Sequence, residues 1–540
     1  MSQVLIDADN PGRFVTPRLA LELVLRIVAK RPFEPGAVVC LHLSNDVLYP
    51  VLYLAILASG CIWTGTNTAY TEQELSHHFT VSRTQYVITT SEELVKVDRA
   101  LRATSQGHSE IVVFSDLLRD WLEGEVITES LPGVRPGSVA ASLYAQCRTL
   151  HDLVESGDGF PRVFPFAIDD SEIAVLMQTS GTTGLSKMAA RTHKAIIAEC
   201  KAIEDNNASK DYVIRRLLTT PIFHGFSKPL MIISPLKFGH TTYIMKRFDS
   251  RYPDLVHDYG ITETAAPPPM LLKFVNYESH VQQKLLGLRM IYTGGSTLPS
   301  SLRRQTLAMF TQDPSSAMSP PRIVQVWGMT EGGWFTTFKY PEGTVNSPED
   351  FSDGSVGRPI DGVSITVDGS GHHYARLDNG QRPGELLIRS KHLMESYLGD
   401  MKTTHKTIVG GYLRTGDIGY VLNGKVYLVD RKKDLIKVNG WQVSPAEIEN
   451  ALLQFPGIAD VAVVGTGTGV SERPLCFVVP KSDITVDDIK ECLRRSMARY
   501  KVASVEVKFT DEIPRSGAGK VRKQDLKRLA TEMFPSKGSD

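Results

Sequence analysis

The sequence predicts an α/β protein with a large N-terminal domain and a small C-terminal one. Three observations predict it. Short apolar runs of β type alternate with longer helical patterns, 540 residues are enough for more than one domain, and the chain changes character near Asp430.

Each element follows from its own residues. "AVVCLHL" (Ala37–Leu43), "QYVITT" (Gln85–Thr90) and "EIVVF" (Glu110–Phe114) are apolar runs of strand length and read as buried strands. Thr71–Val81, between them, reads as a helix, and this alternation builds parallel sheet. "VLYPVLYLAILASGCIW" (Val47–Trp63) carries no charge over about 17 residues, near the lower limit for a membrane span. Pro50 and Gly60 interrupt it and no basic flank marks it, so a buried helix packed on a sheet is expected instead. Ser130–Asp158 is rich in Gly, Pro and Ser and reads as a surface excursion. "GKVYLVD", behind an Asn423-Gly424 turn, reads as a strand that ends at Asp430, and the basic run "RKKDLIKVNG" follows it. Helix Pro445–Phe455, strands Asp460–Val464 and Leu475–Val479, helix Thr485–Tyr500 and strand Val505–Phe509 then complete a second, smaller pattern. Those roughly 110 residues suffice for an independent domain.

Composition excludes several classes. Lysine plus arginine and aspartate plus glutamate both number 60, so no overall field draws the chain to nucleic acid or to an anionic membrane. Cys40, Cys61, Cys147, Cys200, Cys476 and Cys492 are scattered without a C-x-x-C pair, which argues against a zinc site and a disulfide scaffold. Met1–Asn10 is polar and acidic, unlike a signal peptide, and the ending "PSKGSD" is not of S-K-L type. A cytoplasmic home is expected.

The stretch "QTSGTTGLSKMA" (Gln178–Ala189) combines hydroxyls, glycines and a lysine in one polar turn. Those residue types suit phosphate: backbone N–H groups freed by glycine, hydroxyl donors, and one cation. A P-loop needs lysine directly after its second glycine; here Lys187 stands three beyond Gly184 and Met188 follows, so this is a different loop. On composition alone a Ser/Thr/Gly turn is usually just a loop.

Four further stretches appear in order: "QVWGMTEGG" (Gln325–Gly333), "GYLRTGDIGY" (Gly411–Tyr420), "DRKKDLIKVNGWQVSPAEIE" (Asp430–Glu449) and "PRSGAGKVRKQDL" (Pro514–Leu526). With the first, they closely resemble the adenylate-forming superfamily of acyl- and aryl-CoA ligases, luciferases and adenylation domains. The likeness covers about Phe14 to Leu526, and "TGTNTAYTEQELSHHF" (Thr64–Phe79) brings it nearest to 4-coumarate–CoA ligase-like enzymes. The resemblance implies a fold as well as a reaction. The large domain, residues 1–429, would be compound, with parallel-type sheets, helices and a small β subdomain. Residues 430–540 would form a small, mobile α+β lid. A carboxylate and Mg-ATP would give an acyl-adenylate and pyrophosphate, and the acyl group would then pass to coenzyme A. An aryl or medium-chain acid is favoured, in a specialised-metabolite pathway. The alternatives are loading of a separate carrier protein, a luciferase-like oxygenation and a catalytically silent nucleotide-binding homologue.

The resemblance also implies roles. Thr179, Ser180, Gly181, Thr182, Thr183, Gly184 and Lys187 would hold the β- and γ-phosphates. Gly294, Gly295 and Ser296 would line adenine. Gln325, Trp327, Gly328, Met329 and Thr330 would contact the nucleotide, Trp327 by stacking in a place where the family usually has tyrosine. Glu331 would help hold magnesium, and Asp417, with Arg431 beside it, would accept from the ribose. Lys520 would bridge substrate carboxylate and α-phosphate. Lys433 would be the hinge on which Lys437, Gly440, Trp441 and Gln442 swing in for the thiol step. His224 would stand at the mouth of the acyl pocket, with Trp334 and Phe335 near its floor. Simpler readings stay open: Glu331 as a helix cap, His224 as a core histidine, Trp334 and Phe335 as plain core, Lys520 as a solvated lysine. Ser186, Met188, Ser390 and Gly465–Pro474 depart from the family pattern, and the chain starts nearer the Phe14 match than related ligases do.

Overall fold

The computed structural model describes residues 3–104, 109–114, 139–154, 167–179, 187–205, 210–295, 298–311, 320–338, 354–369, 377, 380–438, 441–467, 472–497, 502, 504–515 and 521–534. The chain divides into two compact units, each taken by itself: Met1–Ala265 with Gly328–Trp334 and Lys391–Lys406, and Ala266–Trp327 with Phe335–Ser390 and Thr407–Asp540. Asp430 falls inside the second.

In the first unit an eight-stranded sheet runs Ser396–Tyr397, Lys187–Thr192, Ile173–Thr179, Ile62–Gly65, Val38–His42, Tyr86–Thr89, Glu110–Val113, Arg148–Thr149. From Ile173–Thr179 to Arg148–Thr149 every pairing is parallel, whereas the two strands at the other edge are antiparallel. The three apolar runs are thus central strands, as their composition predicts. Helix Glu72–Ser82 opens on a capping box of Thr71 and Glu74 and buries Leu75 and Phe79 against Cys40, Val87 and Val113 of the sheet. A second sheet orders Glu263–Ala265, Arg215–Leu218, Thr241–Ile244, Leu5–Asp7, Phe14–Val15. The N-terminal segment is therefore packed as a strand.

Two expectations need correction. The uncharged run is not one helix. It is helix Tyr49–Ala58, a turn at Ser59-Gly60 with Gly60 at φ 69°, and strand Ile62–Gly65. Gly60 takes the left-handed conformation that lets the chain reverse and feed the sheet. Among the described residues no helix is long and apolar enough to cross a membrane. The surface excursion is likewise partly structured: Arg148–Thr149 extends the sheet and buried Leu150 and Leu153 follow.

The second unit is mostly antiparallel. Strands Val363–Asp368, Gly384–Ser390, Tyr412–Leu422 and Lys425–Arg431 pair in succession, the last two around the Asn423-Gly424 turn with both residues at positive φ. Helix Pro445–Leu452 starts from an Ser444 cap, and Ile458–Thr466, Arg473–Pro480 and Glu506–Phe509 form a three-stranded sheet. Helix Val486–Ser496 stops earlier than the expected Tyr500, because Met497 is already extended. Ile448, Leu452, Val461, Val463, Ile489 and Leu493 close this core.

Candidate active site

The first unit carries the phosphate-type motif. Thr179 ends one strand and Lys187 begins the antiparallel return strand directly opposite. Ser180, Gly181, Thr182, Thr183, Gly184 and Ser186 lie outside the described residues. The root of the hairpin is tied down. Gln178 Oε1 lies 2.9 Å from His78 Nδ1, and His78 Nε2 lies 3.0 Å from Thr64 Oγ1. Burial pushes His78 down to about 4, so the ring is neutral near pH 7. With Oε1 assigned as acceptor, the proton sits on Nδ1 and Thr64 donates to Nε2.

Lys187 Nζ donates to Thr403 Oγ1 at 3.3 Å, lies 3.8 Å from an Asp400 carboxylate oxygen, and stands 5.4 Å from the centre of the Tyr397 ring. Glu331 is buried in the turn between strands Trp327–Met329 and Gly333–Thr337. No helix begins there, so the capping alternative falls. Tyr397 donates its hydroxyl to Glu331 Oε1 at 2.7 Å, and Met394 N–H donates to the Glu331 carbonyl at 2.6 Å. Among the described residues no three His, Cys, Asp or Glu gather as a metal cage. A lone carboxylate nevertheless fits magnesium, which keeps several waters and draws other ligands from phosphate oxygens. Gly328, beside Met329 and Thr330, is obligatory, since a Cβ there would stand 2.2 Å from the Gly333 carbonyl oxygen.

His224 is half-buried, and its Nδ1 accepts from the Phe226 N–H at 3.2 Å. A π-helical turn, Pro229–Ile233, follows, a form common at functional sites. Trp334 is buried, stacks on Phe226 at 6.3 Å and 28°, and donates Nε1–H to the Phe226 carbonyl at 3.2 Å. Behind it lies a buried charge cluster invisible to sequence reading. Glu199 faces Arg191 at 2.9 Å and Lys228 at 3.2 Å. Burial opposes its charge, but the two cations outweigh that and hold its carboxyl down at about 2. The Trp334 N–H donates to Glu199 at 3.4 Å, and Arg191 donates to the carbonyls of His392 and Gly332.

The second unit holds the nucleoside-type residues. Thr293 and Gln325 are paired ends of two parallel strands, and Gly294 and Gly295 follow Thr293, with Gly295 at φ 82°. Ser296 lies outside the described residues. Trp327 donates Nε1–H to Asp417 Oδ2 at 2.8 Å and meets Phe335 edge-on at 5.4 Å. Arg431 Nε takes the other carboxylate oxygen at 2.7 Å, directly across the strand pair. Trp327 is buried, so the sequence-predicted stacking residue is first of all a clamp on Asp417.

Lys437 pairs with Gln442, and Val438 with Trp441, in a two-stranded ribbon that begins just after exposed Lys433. Of Lys437, Trp441 and Gln442 only the backbone is described, and Gly440 lies outside the described residues. So does Lys520; Arg515 and Val521 form an isolated antiparallel bridge.

Comparison with known proteins gives this geometry a family. The model for "AMP-binding enzyme" matches residues 27–398, and that for "AMP-binding enzyme C-terminal domain" matches 447–520. An acyl-CoA ligase of Phoma sp. is 44% identical over 531 residues, 96% of this chain and 91% of that protein. A phenylacetyl-CoA ligase of Aspergillus niger is 32% identical over 546 residues, 97% and 93% of the two chains. ATP-bound MatB from Rhodopseudomonas palustris shares the fold, with a TM-score of 0.76 at 20% identity over 99% of this chain and 96% of that one. The chain belongs to the AMP-binding, adenylate-forming enzyme family.

Proposed function

We propose that the protein is an ATP-dependent, AMP-forming acyl-CoA ligase. One observation carries the reading: both acidic residues the reaction needs, Glu331 and Asp417, are buried and held by named donors. Burying a carboxylate costs free energy, which these donors offset while holding each carboxylate in one orientation. Similarity to a named acyl-CoA ligase over nearly the whole chain supports the thiol step.

A carboxylate is a poor acyl donor because its leaving group would be an oxide dianion. Its oxygen attacks the α-phosphate, pyrophosphate leaves, and AMP becomes a good leaving group for the thiol. Asp417 accepts from the ribose. Lys187 and the Thr179–Gly184 loop hold the β- and γ-phosphates. Gly294, Gly295, Ser296, Gln325, Trp327, Gly328, Met329 and Thr330 shape the nucleotide site. Glu331 would hold magnesium, which would supply neutralising charge to the phosphates when bound. Lys520, on a lid of residues 430–540 hinged at Lys433, neutralises charge at the α-phosphate. Lys437, Gly440, Trp441 and Gln442 serve coenzyme A, and His224 serves the acyl end. The Phe226–Trp334 stack supports a compact aryl or medium-chain acid. A cytoplasmic setting in specialised metabolism completes the reading.

The test is a panel of carboxylic acids with Mg-ATP, with pyrophosphate and thioester both measured. Acid-dependent pyrophosphate and acyl-CoA formation are expected. Pyrophosphate with transfer only to a phosphopantetheinyl carrier would replace coenzyme A by a protein partner, and no pyrophosphate from any acid would support the silent reading.

A further inference from the structure

Tyr397 joins two residues that sequence motifs treat as separate. Its hydroxyl donates to Glu331 Oε1 at 2.7 Å, with both residues buried. The centre of its ring lies 5.4 Å from Lys187 Nζ. Its position is fixed from three sides. Strand Ser396–Tyr397 pairs with the strand that begins at Lys187, setting Tyr397 opposite Ala189. The Tyr397 N–H donates to Thr404 Oγ1 at 2.9 Å. Its carbonyl accepts from the Asp400 N–H at 3.0 Å. The residues that follow supply the other Lys187 partners: Asp400, just after the turn, and Thr403, in helix Met401–Thr407.

Geometry gives this arrangement a consequence. One Glu331 oxygen is occupied by the phenol, and among the described residues Oε2 has no hydrogen-bond partner. A phenol bonded at Oε1 fixes the carboxylate rotamer and so fixes where Oε2 points. The ring face meanwhile favours an ammonium over it. One tyrosine therefore sets both the carboxylate and the cation, which act on the same triphosphate–magnesium unit in the reading given above.

We propose that Tyr397 is a positioning residue that presents Glu331 Oε2 to magnesium and keeps Lys187 aligned for the phosphates. The inference rests on the assignment of Glu331 as the magnesium carboxylate. Outer partners of metal ligands are worth roughly 10- to 100-fold in metal affinity.

The test is calorimetric titration of ATP into full-length protein across a magnesium series, with melting temperature as the folding control. In Tyr397→Phe, which keeps the ring and loses only the hydroxyl, the magnesium concentration for half-maximal ATP binding should rise about 10-fold or more. Binding of ATP in chelator should stay unchanged, because Lys187 still faces a ring. In a Glu331→Gln background, Tyr397→Phe should add nothing further. An unchanged magnesium dependence in folded Tyr397→Phe, beside a magnesium-dependent wild type, overturns the inference alone. A wild type that binds ATP without magnesium dependence overturns the assignment of Glu331 itself. Should Tyr397→Phe not fold, 3-fluorotyrosine placed at position 397 gives the same answer: its fluorine resonance should move on adding magnesium to the ATP complex, and a fixed resonance contradicts the proposal.

Discussion

At the scale of single residues, Asp417, proposed above to accept from the ribose, is a buried carboxylate held from two sides. Trp327 and Arg431 occupy one oxygen each, so the carboxylate cannot rotate away. A hydrogen bond to a charged group is worth about 1.5–3 kcal/mol. Trp327→Phe keeps an aromatic wall and loses the N–H. Its KM for ATP should rise about tenfold, with a smaller change in kcat, in steady-state assays with saturating acid. An unchanged KM would mean that Arg431 alone positions the acid. Trp334 poses a different question, because its indole is part of a stack with Phe226. Trp334→Ala should shift the acid preference toward bulkier or longer substrates, at a stability cost of about 3–5 kcal/mol. A preference that stays put in the acid panel would make Trp334 core rather than pocket wall.

At the scale of elements, the strand–turn–strand around Glu331 rests on buried charge. Helix His193–Asp205 supplies Glu199, the strand Lys187–Thr192 supplies Arg191, and the π-helical turn follows directly on Lys228. Glu199→Ala would leave two buried cations facing each other and should cost about 3–5 kcal/mol by urea denaturation. Gly333 belongs to the same device. It sits at φ 73°, and a Cβ there would stand 1.9 Å from a Glu199 oxygen. Acid acts on a second element, the base of the Gln178–Lys187 hairpin. His78 is held neutral with its pKa near 4, below its unfolded value of about 6.5, so the unfolded chain binds the extra proton. Its contribution is complete above pH 6.5 or so and is lost as pH falls toward 4. The drop in melting temperature over that window should be shallower in His78→Asn, and an equally steep drop would assign acid sensitivity to other groups. Elements such as Val38–His42 and Tyr86–Thr89 were legible from sequence because a buried parallel strand writes itself as an apolar run. The Val47–Trp63 run misled because a helix, a turn and a strand that are all buried share one composition. Tyr397, His78 and Glu199 could not be read at all. Their contacts with Glu331, Gln178 and Trp334 span 66, 100 and 135 positions, and nothing local marks a tyrosine that will meet Glu331 or a histidine that will meet Gln178.

At the scale of the whole molecule, the proposed function has one chain run two half-reactions. Adenylation needs positive charge at the α-phosphate, and thioester formation needs that group gone and a thiol in its place. The motif residues beyond Asp430 are assigned to this exchange, with Lys520 on one side and the Ile436–Val443 ribbon on the other. Lys520→Ala should therefore slow adenylate formation by a hundredfold or more, the usual scale for loss of a transition-state donor, while supplied acyl-adenylate is still converted to acyl-CoA. Equal loss of both steps, followed by rapid quench, would contradict the two-orientation view. Everything in the proposed function passes through the acyl-adenylate, and oxygen-18 reports on it directly. With both carboxylate oxygens of an accepted acid labelled, one labelled oxygen is expected in the phosphate of released AMP and one in the acyl-CoA. Unlabelled AMP, or label recovered in inorganic phosphate beside ADP, would contradict it.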